Sequence, residues 1–490
     1  MFRDSLGPSV SKPYVLTMLF LKYVSDVWQD GQALGYNGQG DRPEQGSELD
    51  PVRGLRLPHE ATFDALLAKR DNKGNGQRID EALRAIEHAN QDEWSDVFAD
   101  IRFNSDKLGD EAKRDDILRH FLEAFADLNL ELDLSRRYTP DVIGEAYELL
   151  LKSFALATRK KEDGIYPPAE IAQLVASIVA PQAGDEICDP VCGTGSLLLA
   201  CEHFGRPQHE KMRNARLSGQ EASRTRWALA KINMFLHGKN SRGIVLGDVI
   251  ESPKLLNPDR SLKRFDVLVA NLLFSQEQWA FESAEHDPYG RFRRGLPPRS
   301  RDDYAIILHM VETMKPEKGR MAVIAPHGVL FRGAAEGEIR RKLIKENLLG
   351  AVIGLPEKLF HGINIPAAVL IFQSSKTDDT VLFIDASRDF EPGKNLNMLR
   401  DVDLQRILGA YQVRKSEHKF AHLASLAEIE RNDFNLNIPR YIDPFEEQGE
   451  VNLEVIKREQ EEIRTNLLLL GTQIDNYLAQ LGFPQLPGAA

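Results

Sequence analysis

The 490-residue chain is poor in cysteine, with Cys188, Cys192 and Cys201 its only three. Three thiols cannot staple a chain of this length, and they lack the paired Cys/His pattern of a metal site. No disulfide framework and no metal centre are expected, and a reduced, cytoplasmic setting fits. Long hydrophobic runs are also missing, since none approaches the roughly 18 residues of a membrane span. The apolar stretch from Val15 to Leu21 is short, lies between Lys12 and Lys22 and is followed by no cleavage pattern. It reads as a buried helix face rather than a secretion signal. Positive charge is in deficit, with 62 Lys and Arg against 74 Asp and Glu, a formal net charge of −12. Neutralising phosphates supplies most non-specific affinity for nucleic acid, so this balance argues against a chain that grips DNA unaided. Any such role needs a more basic partner or a local patch. One candidate patch exists, Arg291, Arg293, Arg294, Arg299 and Arg301 in a Gly/Pro-containing stretch. Phosphate contact and a plain solvated loop both remain open for it.

Hydrophobic residues make up 42% of the chain, and its length exceeds what one core usually organises, so two or three domains are expected. Residues 1–157 read as a helical domain, with amphipathic segments near 9–29, 60–70, 78–89 and 111–128 broken by a polar, glycine-rich loop from Asp30 to Ser47. From about 158 the pattern changes to short β-rich runs alternating with helical ones. The expected strands are Glu186 to Cys188, Arg216 to Gln220, Gly243 to Leu246, Val267 to Ala270, Arg320 to Ile324, Ala351 to Gly354 and Ala367 to Phe372. Such alternation favours an α/β fold, a parallel sheet with helices on both faces. Leu453, Ile456, Gln460, Ile463, Leu467, Leu470, Ile474, Tyr477 and Leu481 then follow a three-four spacing, the seam of a helix that pairs with another.

Between Ile187 and Leu199 an apolar strand should turn into an apolar helix through Asp189, Pro190, Gly193 and Gly195. Glycines at such a turn let a ligand approach bare backbone and the N–H groups that open the next helix. A tight turn with no ligand is the plain alternative. The dinucleotide fingerprint wants a third glycine where Leu198 stands, and no glycine-rich Lys-Ser/Thr loop for a triphosphate is present. Ligands of an open α/β sheet collect beyond the carboxyl ends of its strands. There, Glu221 follows the second strand, placed to accept ribose hydroxyls, and Gly247-Asp248 follows the third, where an adenine amine could be received. Each acid alone could equally be a solvated strand end; together they point to a ligand with ribose and adenine.

With Ala270-Asn271-Leu272-Leu273-Phe274-Ser275 after the fourth strand, the chain resembles a known family. Asp189-Pro190-Val191-Cys192-Gly193-Thr194-Gly195, Gly219-Gln220-Glu221, Gly247-Asp248 and Asn271-x-x-Phe274 are similar to the ordered motifs of S-adenosylmethionine-dependent adenine methyltransferases. The nearest resemblance is to the modification (M) subunit of type I restriction-modification systems. Asp303-Tyr304-Ala305, Arg320 to Arg332, Gly362 to Ala368 and Asn435 to Tyr441 extend it over nearly the whole chain. It implies a Rossmann-like doubly wound methyltransferase sheet in residues 158–375, a catalytic extension in 376–448 and a pairing helix in 449–490. S-adenosyl-L-methionine is the implied cofactor, held by Ile165, Tyr166, Pro167, Pro168, Asp189, Gly193, Thr194, Gly195, Ser196, Glu221 and Asp248. The implied catalytic residues are Asn271 and Leu272, whose side-chain oxygen and carbonyl would accept the target amine's hydrogens, and Phe274, which would stack on the flipped base. The implied partners are double-stranded DNA, a specificity (S) subunit met through the C-terminal helix, a restriction (R) subunit and a second M copy. No metal and no membrane are implied.

The chain departs from the family pattern twice. Leu272-Leu273 replaces Pro-Pro, losing the rigidity that fixes the carbonyl and adding bulk where a base should dock. Ile165-Tyr166-Pro167-Pro168 replaces Phe-Tyr-Thr-Pro, losing a hydroxyl for the cofactor. The competing expectation is therefore a catalytically impaired assembly subunit or pseudoenzyme. A small-molecule or protein methyltransferase and a nicotinamide oxidoreductase rank below both.

Overall fold

A computed structural model of the chain describes residues 7–33, 54–127, 142–157, 167–205, 215–273, 279–361, 366–443 and 453–481. Contacts divide it into two units, 1–442 and 443–490. Among the described residues no helix is long and apolar enough to cross a membrane.

The first unit opens with helices α1 (Pro8–Ala33), α2 (Asn75–Ala89), α3 (Glu111–Ala126) and α4 (Val142–Ala157). Leu16, Met18, Phe20, Leu21, Val24 and Val27 are fully buried, so the apolar run near the start is an internal helix. That helix continues to Ala33, past the Asp30 at which the sequence pattern places a loop; residues 34–47 of the loop lie outside the described residues. The first N–H groups of α2 are satisfied from a neighbour, because the Asp115 carboxylate of α3 accepts from Gly74 and Asn75, both at 2.8 Å.

The remainder winds around a nine-stranded sheet in the order β3-β2-β1-β4-β5-β7-β6-β8-β9. The strands are β1 (Glu186–Asp189), β2 (Arg216–Glu221), β3 (Ile244–Leu246), β4 (Val267–Asn271), β5 (Arg320–Pro326), β6 (Leu349–Gly354), β7 (Ala367–Gln373), β8 (Val381–Asp385) and β9 (Ala421–Ala424). Helices α5 (Ala169–Val179), α6 (Ser196–Gly205), α7 (Arg224–Leu236), α8 (Asp303–Thr313), α9 (Ala334–Lys345) and α10 (Asp401–Val413) accompany it. Alternate β4 residues enter different cores, Val267 and Val269 on one face and Leu268 and Ala270 on the other. A sheet covered on both faces needs such unbroken apolar runs.

The sheet is not parallel throughout. β1 to β5 pair in parallel, but β7 runs antiparallel to β5 and β6, and β9 antiparallel to β8. β8 and β9 are additions to the seven expected strands. In the second unit, α11 (Leu453–Gln480) exposes Ile463, Leu467, Leu470, Ile474 and Tyr477 of the expected seam, together with Leu468 and Leu469, so its apolar surface is wider than a strict seam.

Candidate functional site at the strand tips

Parallel register brings the tips of β1, β2 and β3 level: Asp189 lies opposite Gly219, and Glu221 opposite Leu246, two residues before Asp248. β4 ends level with them on Asn271, opposite Ile324 of β5.

Asp189 is 2% exposed, and its Oδ1 accepts the Val191 N–H at 3.0 Å. No cation pairs with it among the described residues. Burial first, reinforced by repulsion from Glu221, lifts its carboxyl to about 8. The turn beyond it uses left-handed backbone at Gly193 (φ +56°) and Gly195 (φ +83°). A Cβ on Gly195 would come within 2.5 Å of Met234 Cε on α7, whereas one on Gly193 would meet nothing within 4 Å. Close packing thus dictates the second glycine, while the first borders open space.

The start of α6 is fixed by a residue that no motif singled out. Glu148 of α4 accepts hydrogen bonds from Ser196 Oγ (3.1 Å) and from Asn233 Nδ2, which also donates to the Thr194 carbonyl (2.9 Å). Thr194 Oγ1 and Ser196 Oγ lie 3.2 Å apart. A carboxylate of the helical region therefore reaches the glycine turn directly.

Glu221 is buried and heavily used. Its Oε1 accepts from Ser223 N–H (2.7 Å) and from Arg226 Nε and Nη2 (3.0 and 2.8 Å), and its Oε2 from Gly193 N–H (3.0 Å). A carboxylate offers about four lone pairs, so Oε2 keeps capacity for one further donor rather than a free fork. Asp248 folds its own turn, with Oδ1 accepting from Ile250 and Glu251 N–H (2.8 and 2.9 Å), while Oδ2 enters no hydrogen bond among the described residues. Gln220 secures that turn, donating to the Gly247 and Ser252 carbonyls and accepting from Lys254 N–H.

At the β4 tip, Asn271 Oδ1 accepts from Leu273 N–H at 3.4 Å, and its buried Nδ2 has no hydrogen-bond partner among the described residues. The expectation that the leucines crowd a docking base fails for Leu272: it is 7% exposed, packs in the same core as Leu268 and Tyr304, and its N–H donates to the Ile324 carbonyl at 2.7 Å. Leu273 is half-buried against the opposite core. Pro167 is buried, and Pro168 precedes α5, its carbonyl accepting from Ile171 and Ala172. Ile165, Tyr166 and Phe274 lie outside the described residues.

Two of the five arginines of the patch are internal, and Arg293, Arg299 and Arg301 are exposed. Arg291 and Arg294 are buried, the former on Asp287 and the latter between Glu312 and Glu346; Arg293 also pairs with Glu312, and Arg299 with Glu282. Four of the five cations are therefore compensated by carboxylates, against the reading of a phosphate-binding loop.

The N-6 DNA Methylase family matches residues 138–450, and the HsdM N-terminal domain matches residues 1–125. The chain belongs to the N-6 DNA methylase family. Relatives include the Type I restriction enzyme MjaVIII methylase subunit of Methanocaldococcus jannaschii, 31% identical over 74% of this chain and 64% of that protein. The match thus spans under two thirds of that relative's length. The MpnII methylase subunit of Mycoplasma pneumoniae is 27% identical over 96% of this chain and 92% of its own. Among solved structures, a type I restriction-modification system methyltransferase subunit from Streptococcus thermophilus superposes with a TM-score of 0.77 at 32% identity, covering 91% of this chain and 97% of that one.

Proposed function

We propose that this chain is the modification subunit of a type I restriction-modification complex, methylating the N6 amine of adenine in DNA with S-adenosylmethionine. The observation that carries the reading is the alignment of Asp189, Glu221, Asp248 and Asn271 at one edge of one sheet. The residues fit the cofactor: a carboxyl raised by burial and by repulsion from Glu221, with no cation paired to it among the described residues, suits a cationic ligand, and the open space at Gly193 gives it a backbone cradle. When bound, the cofactor supplies an electrophilic methyl group on sulfur.

The chain's own groups do the rest. Glu221 would hold the cofactor's ribose through a hydroxyl, and Asp248 would hold its adenine through the exocyclic amine. The target amine is a poor nucleophile because its lone pair is delocalised into the ring. Asn271 Oδ1 and the Leu272 carbonyl accept its two hydrogens and favour its pyramidal form as bonding to methyl develops. Phe274 stacks on the extruded base. Pro167, lacking a hydroxyl, positions the cofactor by packing alone.

In this reading residues 1–157 form the helical domain, 158–375 the catalytic domain, 376–448 its extension, and 449–490 the helix that meets the specificity subunit. That subunit chooses the DNA site, which accords with the acidic chain and with arginines already paired to carboxylates. A restriction subunit and a second copy of this chain complete the assembly, in the cytoplasm, where buried Cys188, Cys192 and Cys201 stay reduced. Cells carrying this chain with its specificity subunit should contain N6-methyladenine at one split sequence motif; unmodified genomic DNA would refute the activity. Truncation after residue 448 should abolish co-purification with the specificity subunit and leave cofactor binding intact, and a persisting complex would remove the helix from that role.

A further inference from the structure

Arg291 lies in the insert that follows the catalytic tip of β4, and it is 1% exposed. Burying a guanidinium is costly unless its donors are met, and here each of the three guanidinium nitrogens has a hydrogen-bond partner. Nε donates to Asp287 Oδ1 (2.9 Å) and Nη2 to the Ile250 carbonyl (2.8 Å), and Nη2 lies 2.8 Å from the same Asp287 oxygen as an ion pair. Nη1 donates to the Val249 carbonyl (2.8 Å) and lies 3.3 Å from His309 Nδ1 of α8. Burial, reinforced by the arginine's charge, holds His309 neutral, with its pKa lowered to about 3, so Nδ1 is free to accept. Asp287 alone would satisfy the charge. The two carbonyls are the informative contacts, because they belong to the residues directly after Asp248, and the Ile250 N–H in turn holds Asp248 Oδ1.

We propose that Arg291 is a positioning residue for the cofactor: it clamps the Asp248 turn to the insert that follows Asn271, setting where the Asp248 carboxylate meets the cofactor's adenine. This rests on the reading of Asp248 as a cofactor contact. Lysine cannot replace the clamp, because one ammonium lacks the planar fork that spans two carbonyls and a carboxylate.

The test is a double-mutant cycle on the full chain, read by calorimetric titration of S-adenosylhomocysteine, with the thermal midpoint of each variant recorded. Asp248→Ala and Arg291→Met should each weaken binding about tenfold, roughly the loss of one well-placed hydrogen bond. The double variant should bind no more weakly than Asp248→Ala alone, because Arg291 acts through that carboxylate. Arg291→Lys should fall between wild type and Arg291→Met, and it carries the cycle if Arg291→Met does not fold. Wild-type affinity in the Arg291 variants, or additive losses, would overturn the proposal while leaving the site reading standing. Unchanged binding in Asp248→Ala would instead sink the site reading, and this inference with it.

Discussion

The two edges of the sheet treat acidic side chains in opposite ways. At the amino ends of the strands, Asp266 pairs with Lys315 and Lys318, Glu186 with Lys263, Lys315 and Arg216, and Asp185 with Arg320. At the carboxyl ends, Asp189 and Asp248 have no cationic partner among the described residues and Glu221 has Arg226 alone. Burial raises carboxyls at both edges. At the first, the Glu186 N–H and the two lysines outweigh it and pull Asp266 down to about 2; at the second, nothing does, and Asp189 rises to about 8. A compensated acid holds the fold together, whereas an uncompensated buried acid costs stability that a cationic ligand can return.

The sharpest way to break this contrast is at the β4 tip. Asn271→Ala should lower kcat by about 100- to 1000-fold, as loss of one transition-state hydrogen-bonding group does, with calorimetric cofactor affinity unchanged. A matching loss of affinity would move Asn271 to the cofactor side.

The next effect is pH dependence. The folded pKa of Asp189 lies above its ordinary 3.8, so the stability it contributes is present below that value and lost as pH rises through about 8. A cationic ligand selects the ionised form, so cofactor affinity should climb about tenfold per pH unit up to that value and then level off. Asp189→Asn should flatten the profile; a flat wild-type profile would detach the carboxyl from the ligand. At the other edge the sign reverses. Asp266 is depressed, so its contribution is present above 3.8 and lost as pH falls through about 2. Asp266→Asn should lower stability by about 2 kcal/mol, less than a fully buried pair because both lysines are partly exposed, and leave cofactor affinity untouched.

The smallest effect concerns the missing prolines. A proline at 273 cannot donate the N–H that now reaches Asn271 Oδ1, so Leu273→Pro should raise kcat a few-fold, in keeping with a weak bond of about 0.5–1 kcal/mol. Adding Leu272→Pro forfeits the hydrogen bond to the Ile324 carbonyl and should cost about 1 kcal/mol of stability. An unchanged rate in Leu273→Pro would argue that the leucines do not impair the site.

Most of the seven expected strands were legible as short apolar runs rich in β-branched residues, as in Val267 to Ala270. β9 was not: Ala421-His422-Leu423-Ala424 is a short edge strand of weak β propensity, held by pairing with β8. The strand tips were legible because their chemistry sits in local motifs. Glu148 and Arg291 were not, because what defines them is tertiary. The glutamate meets a turn 48 residues later in the chain, and the arginine answers backbone carbonyls, which have no signature in sequence. Charge pattern alone could not separate buried Arg294 from exposed Arg301.

The most direct test titrates the full-length chain with S-adenosylmethionine at about pH 6.5, in buffers of differing ionisation enthalpy. If the strand tips seat a cationic cofactor against a carboxyl held protonated by burial, binding should release about one proton and Asp189→Asn should release none. Binding with no proton released, or no binding at all, would contradict the account.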